Sequence, residues 1–208
     1  MKKSTTTRVA MTAVGTLLLA GVAGAAIAED AQLGDNNVGV SVEIAPLTTP
    51  GILAMTVDGS STALLENNST ALGRTFTGTL PTVTVTDTRT ADEIPEGAAW
   101  YVLGSSSVFT GDAGQPEIGA EHLGWAPRLT VEDDAGLVAP GDTVDTVLDG
   151  GVNGVGLAGQ ELFAIAAGSG EAAEGNSQWS ATADLTLKTG VDVPAGNYNA
   201  TLTLSLFE

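Results

Sequence analysis

The sequence predicts an all-β protein, an antiparallel β-sandwich, and three observations carry that expectation. Apolar side chains recur at every second position over long stretches of the chain, the period of a half-buried strand. Turn signals separate those stretches: Pro50-Gly51, Asp58-Gly59, Gly111-Asp112, Pro140-Gly141, Asp149-Gly150-Gly151 and Pro194-Ala195-Gly196. Glycine there supplies positive φ, and proline fixes φ while removing a donor. No helical stripe interrupts the pattern beyond one turn near residues 158–167. Many short strands with regular turns indicate a sandwich.

Taken in order, the chain begins with Lys2, Lys3 and Arg8, followed by the uncharged run "VAMTAVGTLLLAGVAGAAIA" and closed by Ala26-Ile27-Ala28. Basic, apolar and small-residue regions in that order read as an export signal over residues 1–28, cleaved before Glu29. Residues 29–37 form a short lead, and 38–208 a single domain without internal repeat or linker. Its first expected strand is "VGVSVEI", residues 38–44, with Val38, Val40, Val42 and Ile44 on one face. "LAMTV" follows at 53–57, and "TVTVTDT" at 82–88 sets Val83 and Val85 against threonines. "ADLTLK" at 183–188 alternates Ala183, Leu185 and Leu187 with polar residues. "YNATLTLSL" at 198–206 reads as the longest strand, with Tyr198, Ala200, Leu202, Leu204 and Leu206 sharing a face.

Composition narrows the function. All 25 acidic residues lie after position 28, where only Arg74, Arg89, Arg128 and Lys188 are basic, so the exported chain carries a formal charge of −21. Such a surface repels nucleic-acid phosphates and anionic lipid headgroups, which excludes both as partners once the signal is removed. The 43% hydrophobic content argues against disorder. There is no cysteine, so the fold rests on burial, and thiol or cysteine-metal chemistry is excluded.

Sites of chemistry are hard to find. "GVGLAG", residues 154–159, spells a dinucleotide fingerprint but follows a glycine-rich loop instead of a strand, and the fingerprint needs both strand and helix. It reads as a loop, and no cofactor is expected. His122 is the only histidine and no G-x-S-x-G elbow accompanies it, so no nucleophile–base pair is evident and an enzyme is not expected. The acidic runs "VEDDAG" (131–136) and "DTVDTVLDGG" (142–151) miss the calcium-loop spacing and read as solvated loops, with no metal site.

The stretch "EGAAWYVLGSSSVFTG", residues 96–111, sets Trp100 beside Tyr101 in a chain that is only 4% aromatic. Alternation places Trp100 and Val102 on one face and Tyr101 and Leu103 on the other. Tryptophan is buried on average, so Trp100 is expected in the core. Tyr101 then faces outward, its apolar ring and polar hydroxyl suited to stacking on a sugar. Trp125 in "LGWAP" and Trp179 in "SQWSA" read as loop-edge aromatics that widen such a surface.

From "PTVTVTDTRTADEIPEGAAWYV" to "GNYNATLTLSL" the chain resembles the WxL domain of Gram-positive surface proteins, over roughly residues 38–206. A V-T-D-x-R strand end corresponds to Val85 through Arg89, a short loop to 90–99, and the W-x-L strand to Trp100-Tyr101-Val102. An aromatic–x–alanine strand corresponds to Tyr198-Asn199-Ala200. Two positions depart from the family: the first motif reads W-x-V, and the second ends in Leu204-Ser205-Leu206 without its tryptophan. The resemblance implies a secreted, cell-surface protein held non-covalently on peptidoglycan or an associated wall polymer, often alongside other surface proteins. The wall-binding candidates are Trp100, Tyr101, Val102, Trp125, Leu204 and Leu206. The alternative is a structural or adhesive subunit that joins other surface proteins through sheet-edge contacts.

Overall fold

The computed structural model describes residues 40–44, 49–131 and 133–208, and the chain divides into Met1–Pro46 and Leu47–Glu208. The export signal, its cleavage site and the lead through residue 37 lie outside the described residues. So do Val38 and Gly39 of the first expected strand. Its described part, residues 40–44, forms no strand, and Val40, Val42 and Ile44 are 92%, 82% and 86% exposed. Alternation equips a segment for a sheet, but a strand forms only where a neighbour takes its backbone hydrogen bonds.

The second unit is all-β and antiparallel. Its strands begin with β1 (Leu53–Val57), β2 (Leu65–Glu66), β3 (Arg74–Thr79) and β4 (Val83–Asp87). Next come β5 (Trp100–Ser106), β6 (Thr110–Gly111), β7 (Leu123–Leu129), β8 (Val138–Pro140) and β9 (Glu161–Ala166). A short helix α1 (Ser169–Gly175) precedes β10 (Gln178–Thr189), β11 (Tyr198–Asn199) and β12 (Leu202–Phe207). The turn expected near 158–167 is therefore corrected: β9 occupies that stretch, and helix forms one step later in "SGEAAEG".

Twelve-residue β10 is the spine of the first sheet. Along one edge it pairs with β4 and then β3, and along the other with β7. β1 and β2 flank β4 and β3. The register runs from Asp184↔Thr79 to Ala181↔Val83, so the β3–β4 edge carries one residue more than β10. This is a β-bulge at Leu80-Pro81-Thr82, and proline is tolerated there because the ladder is already broken. The extra residue inverts the phase. Phe76 and Leu80 face inward before it, Val83 and Val85 after it. The Thr182 hydroxyl donates to the Leu80 carbonyl at 2.5 Å inside the kink.

The second sheet runs β12–β5–β9–β8. A second bulge sits on β9, where Val102↔Ala164 is followed by Leu103↔Leu162. Phe163 is the residue inserted, so Phe163 and Ala164 both point inward. β11 pairs with β6 in a separate ribbon. The strand expected over 198–206 is thus two strands in different sheets, and β10 is the longest.

Trp100, Val102, Trp125, Phe163 and Leu157 fill the space between the sheets. The Trp125 and Phe163 rings meet at 5.5 Å, tilted by 51°. Gly104 makes room for this: a Cβ there would lie 2.4 Å from the end of the Trp125 ring. Leu129 of β7 and Val138 of β8 line one small gap beside Trp100, so the sheets approach each other along that side. The opposite side carries the edge strands β1 and β2 of the first sheet and β12 of the second, and the sheets curl into a half-barrel.

Candidate functional site

Strand β5 assigns the two adjacent aromatic residues to opposite faces. Trp100 and Val102 are buried at 1% and 0% exposure, while Tyr101 and Leu103 are half-buried on the outer face. Cross-strand partners in an antiparallel sheet share a face, so the register defines the outer surface. One rung reads Phe207–Tyr101–Ile165 across β12, β5 and β9, and the next reads Ser205–Leu103–Leu162. Tyr101 and Phe207 stack with ring centroids 5.3 Å apart and planes 17° from parallel. Tyr101 stands between Phe207 and Ile165, which leaves Phe207, 37% exposed, as the outermost ring. The result is an apolar platform of five side chains with one phenol hydroxyl, on the face turned away from the core.

The sequence-derived candidates separate accordingly. Trp100, Val102 and Trp125 are core residues with no surface to offer a ligand. Trp125 is corrected from a loop edge to the interior of β7, while Trp179 is the second residue of β10, at the start of that strand. Trp125 pairs across to Leu185, inside the sandwich. Trp179 is half-buried against the core and donates its ring N–H to the Ala172 carbonyl at 3.2 Å. Leu204 and Leu206 pack half-buried against the core from the edge strand β12. Of the six candidates, only Tyr101 is on the platform. Phe207 was missed, although "LTLSLF" carries the signal: it stands out of phase with Leu202, Leu204 and Leu206.

The V-T-D-x-R end of β4 builds an ionic clasp. Asp87 continues the inward phase of Val83 and Val85 and is 2% exposed. Arg89 meets both of its carboxylate oxygens, at 2.9 and 2.7 Å, and also reaches Glu208 at 2.7 Å. The end of the first sheet is thereby tied to the end of β12. Burial pushes the Asp87 carboxyl up, but hydrogen bonds from Arg89 outweigh it and hold the group below the ordinary range. Those bonds from Asp87, with a second from Glu208, raise the guanidinium further.

The remaining polar residues serve the loops. Asp133 accepts from the backbone of Val138 and Ala135, and Asp149 accepts from both the backbone and hydroxyl of Thr146 and pairs with Lys188. His122 Nδ1 lies 2.7 Å from the Lys188 carbonyl. Among the described residues no group of three His, Asp or Glu side chains converges as a metal site would require. "GVGLAG" is a turn that drives Leu157 fully into the core, and Gly156, at φ +61°, lies against the Glu121 backbone where a Cβ would clash. A cleft of about 640 Å3 opens elsewhere, between Phe76, Phe109 and the Tyr198–Ala200 stretch. Its rim groups are already paired: Asn199 with Asp112 at 2.8 Å, Arg74 with Glu66 at 2.8 Å. Among the described residues no helix is long and apolar enough to cross a membrane. No protein-family model, curated protein or solved structure matches the chain.

Proposed function

We propose that the protein is exported and binds peptidoglycan or an associated wall polymer through the outer face of the β12–β5–β9–β8 sheet, without catalysis. The observation that carries this reading is the Tyr101–Phe207 stack, with Leu103, Leu162 and Ile165 beside it, on a solvent-facing sheet surface. Sugar rings present apolar C–H faces that stack on aromatic rings, and the tyrosine hydroxyl offers a hydrogen bond at the edge. The resemblance to WxL domains supports the same ligand class, and the export signal read from residues 1–28 supports the compartment. Co-sedimentation of the secreted protein with protein-stripped wall material tests the reading. Tyr101→Ala with Phe207→Ala is expected to weaken binding by about tenfold or more, equivalent to about 1.4 kcal/mol. Unchanged binding by a folded double variant rejects it.

A second reading, a structural subunit joined to other surface proteins at a sheet edge, is favoured by β12. Among the described residues it pairs with β5 alone, and it carries neither the proline nor the charge that usually blunts an edge.

A further inference from the structure

The register of β12 fixes what its free edge offers. Thr201 and Ser107 exchange contacts through the Ser107 N–H to the Thr201 carbonyl at 2.9 Å. In an antiparallel pair the hydrogen-bonded positions then recur at every second residue. Thr203, Ser205 and Phe207 therefore bond to β5, and Leu202, Leu204 and Leu206 turn their backbone N–H and C=O groups outward. The side chains of the same three leucines point to the core and stay half-buried, and among the described residues no strand lies beyond them. The other edges among the described residues are less suited: β2 has two residues, β8 has three and ends in Pro140, β1 has five and lies between Pro50-Gly51 and Asp58-Gly59, and β7 contains Pro127 and is bridged at Trp125 to Val144.

The same chain carries a strand without a sheet. Val40, Val42 and Ile44 alternate with Ser41 and Glu43, belong to no strand and are more than four-fifths exposed. Five residues from Val40 to Ile44 match five from Leu202 to Leu206, each about 17 Å long at 3.4 Å per residue. Paired along β12, the three branched side chains would extend the inner layer begun by the three leucines, while Ser41 and Glu43 would join Thr203 and Ser205 outside.

We propose that residues 40–44 of one copy add as a strand to the β12 edge of a second copy, so that the secreted protein assembles head to tail. This inference rests on the sheet-edge reading and is independent of wall binding. The contact is heterologous, since the donor and acceptor are different surfaces, and repeated without closing on itself it yields open chains. Net charge opposes it: with 25 acidic residues against 4 basic after residue 28, copies of the secreted protein repel one another, and added salt screens that repulsion.

Sedimentation velocity of the secreted protein tests the proposal. A concentration-dependent ladder of species that grows with sodium chloride is expected. Val42→Asp disables the donor and Leu204→Pro the acceptor; each variant alone is expected to be monomeric, and an equimolar mixture to form a dimer and nothing larger. Excess peptide of residues 38–46 is expected to dissolve the wild-type ladder into monomers, which keeps the test independent of how well either variant folds. A wild-type monomer at every concentration and salt overturns the inference, as does a ladder that the peptide leaves intact. In the monomer case, a photo-cross-linking residue in place of Thr203 separates the two failures on cells. Capture of a different protein keeps the sheet-edge reading, and no capture ends that reading too.

Discussion

Trp125 reaches across the core until its ring lies where a Gly104 side chain would be, so one glycine in "VLGSSS" decides whether the two sheets can close. Gly104→Val overfills a packed core and is expected to cost about 1–3 kcal/mol, read as a lowered urea midpoint. Trp100→Ala empties a fully buried site and is expected to cost about 3–5 kcal/mol. The Trp100 ring N–H has no acceptor among the described residues, so Trp100→Phe loses volume but no hydrogen bond, and the smaller penalty checks that its role is packing. Asp87 adds a pH dependence. Its folded carboxyl is held below the ordinary value by Arg89, so in acid the unfolded chain binds a proton first. The clasp therefore contributes fully above about pH 4, the usual aspartate value, and the contribution is lost as pH falls through the lower folded value. Asp87→Asn is expected to destabilise by about 3 kcal/mol at neutral pH and to flatten the acid limb of a urea-midpoint profile. An unchanged profile would show that the clasp does not contribute.

Strands were legible where period two survives and hidden where a bulge breaks it. Val83 and Val85 alternate cleanly, as do Ala183, Leu185 and Leu187, and β4 and β10 lie where the pattern places them. "ELFAIA" reads as turn or helix because the bulge turns Phe163 and Ala164 to the same side. Trp125 was misplaced because Pro127 two residues later signals a loop. β7 accepts Pro127 because Trp125, in the same phase, donates its N–H to Val144 and not to β10, so the Pro127 nitrogen also faces the outer edge of β7 and no ladder bond to β10 is lost. The break between β11 and β12 leaves no glycine or proline in "YNATLTL"; Tyr198 pairs with Gly111, and local residues cannot report that choice. The outer platform was half legible, Tyr101 from its phase and Phe207 only once β12 is known to lie beside β5. The bulge on the β3–β4 edge gives an element-scale prediction. Deleting Thr82 removes the extra residue and throws Val83, Val85 and Asp87 out of phase with the core, since a one-residue slip exchanges faces. Loss of cooperative thermal unfolding is expected, whereas deleting Gly150 from its exposed loop is expected to leave it intact.

Over the whole molecule, 25 acidic side chains stand against seven basic ones, and the platform of Tyr101, Leu103, Leu162, Ile165 and Phe207 contains no charge. On the proposed reading, a wall rich in anionic polymer would repel this protein at long range, a repulsion screened over about 8 Å at physiological ionic strength. Binding through the platform must then come from stacking and hydrogen bonds, and salt removes only the opposition to it. The most direct measurement is the fraction of secreted protein that co-sediments with protein-stripped wall material across a sodium chloride series, for the wild type and the Tyr101→Ala, Phe207→Ala double variant. The account predicts wild-type binding that holds steady or rises with salt and a double variant that binds weakly throughout. Wild-type protein that washes off at high salt, or a folded double variant that binds like the wild type, would contradict it.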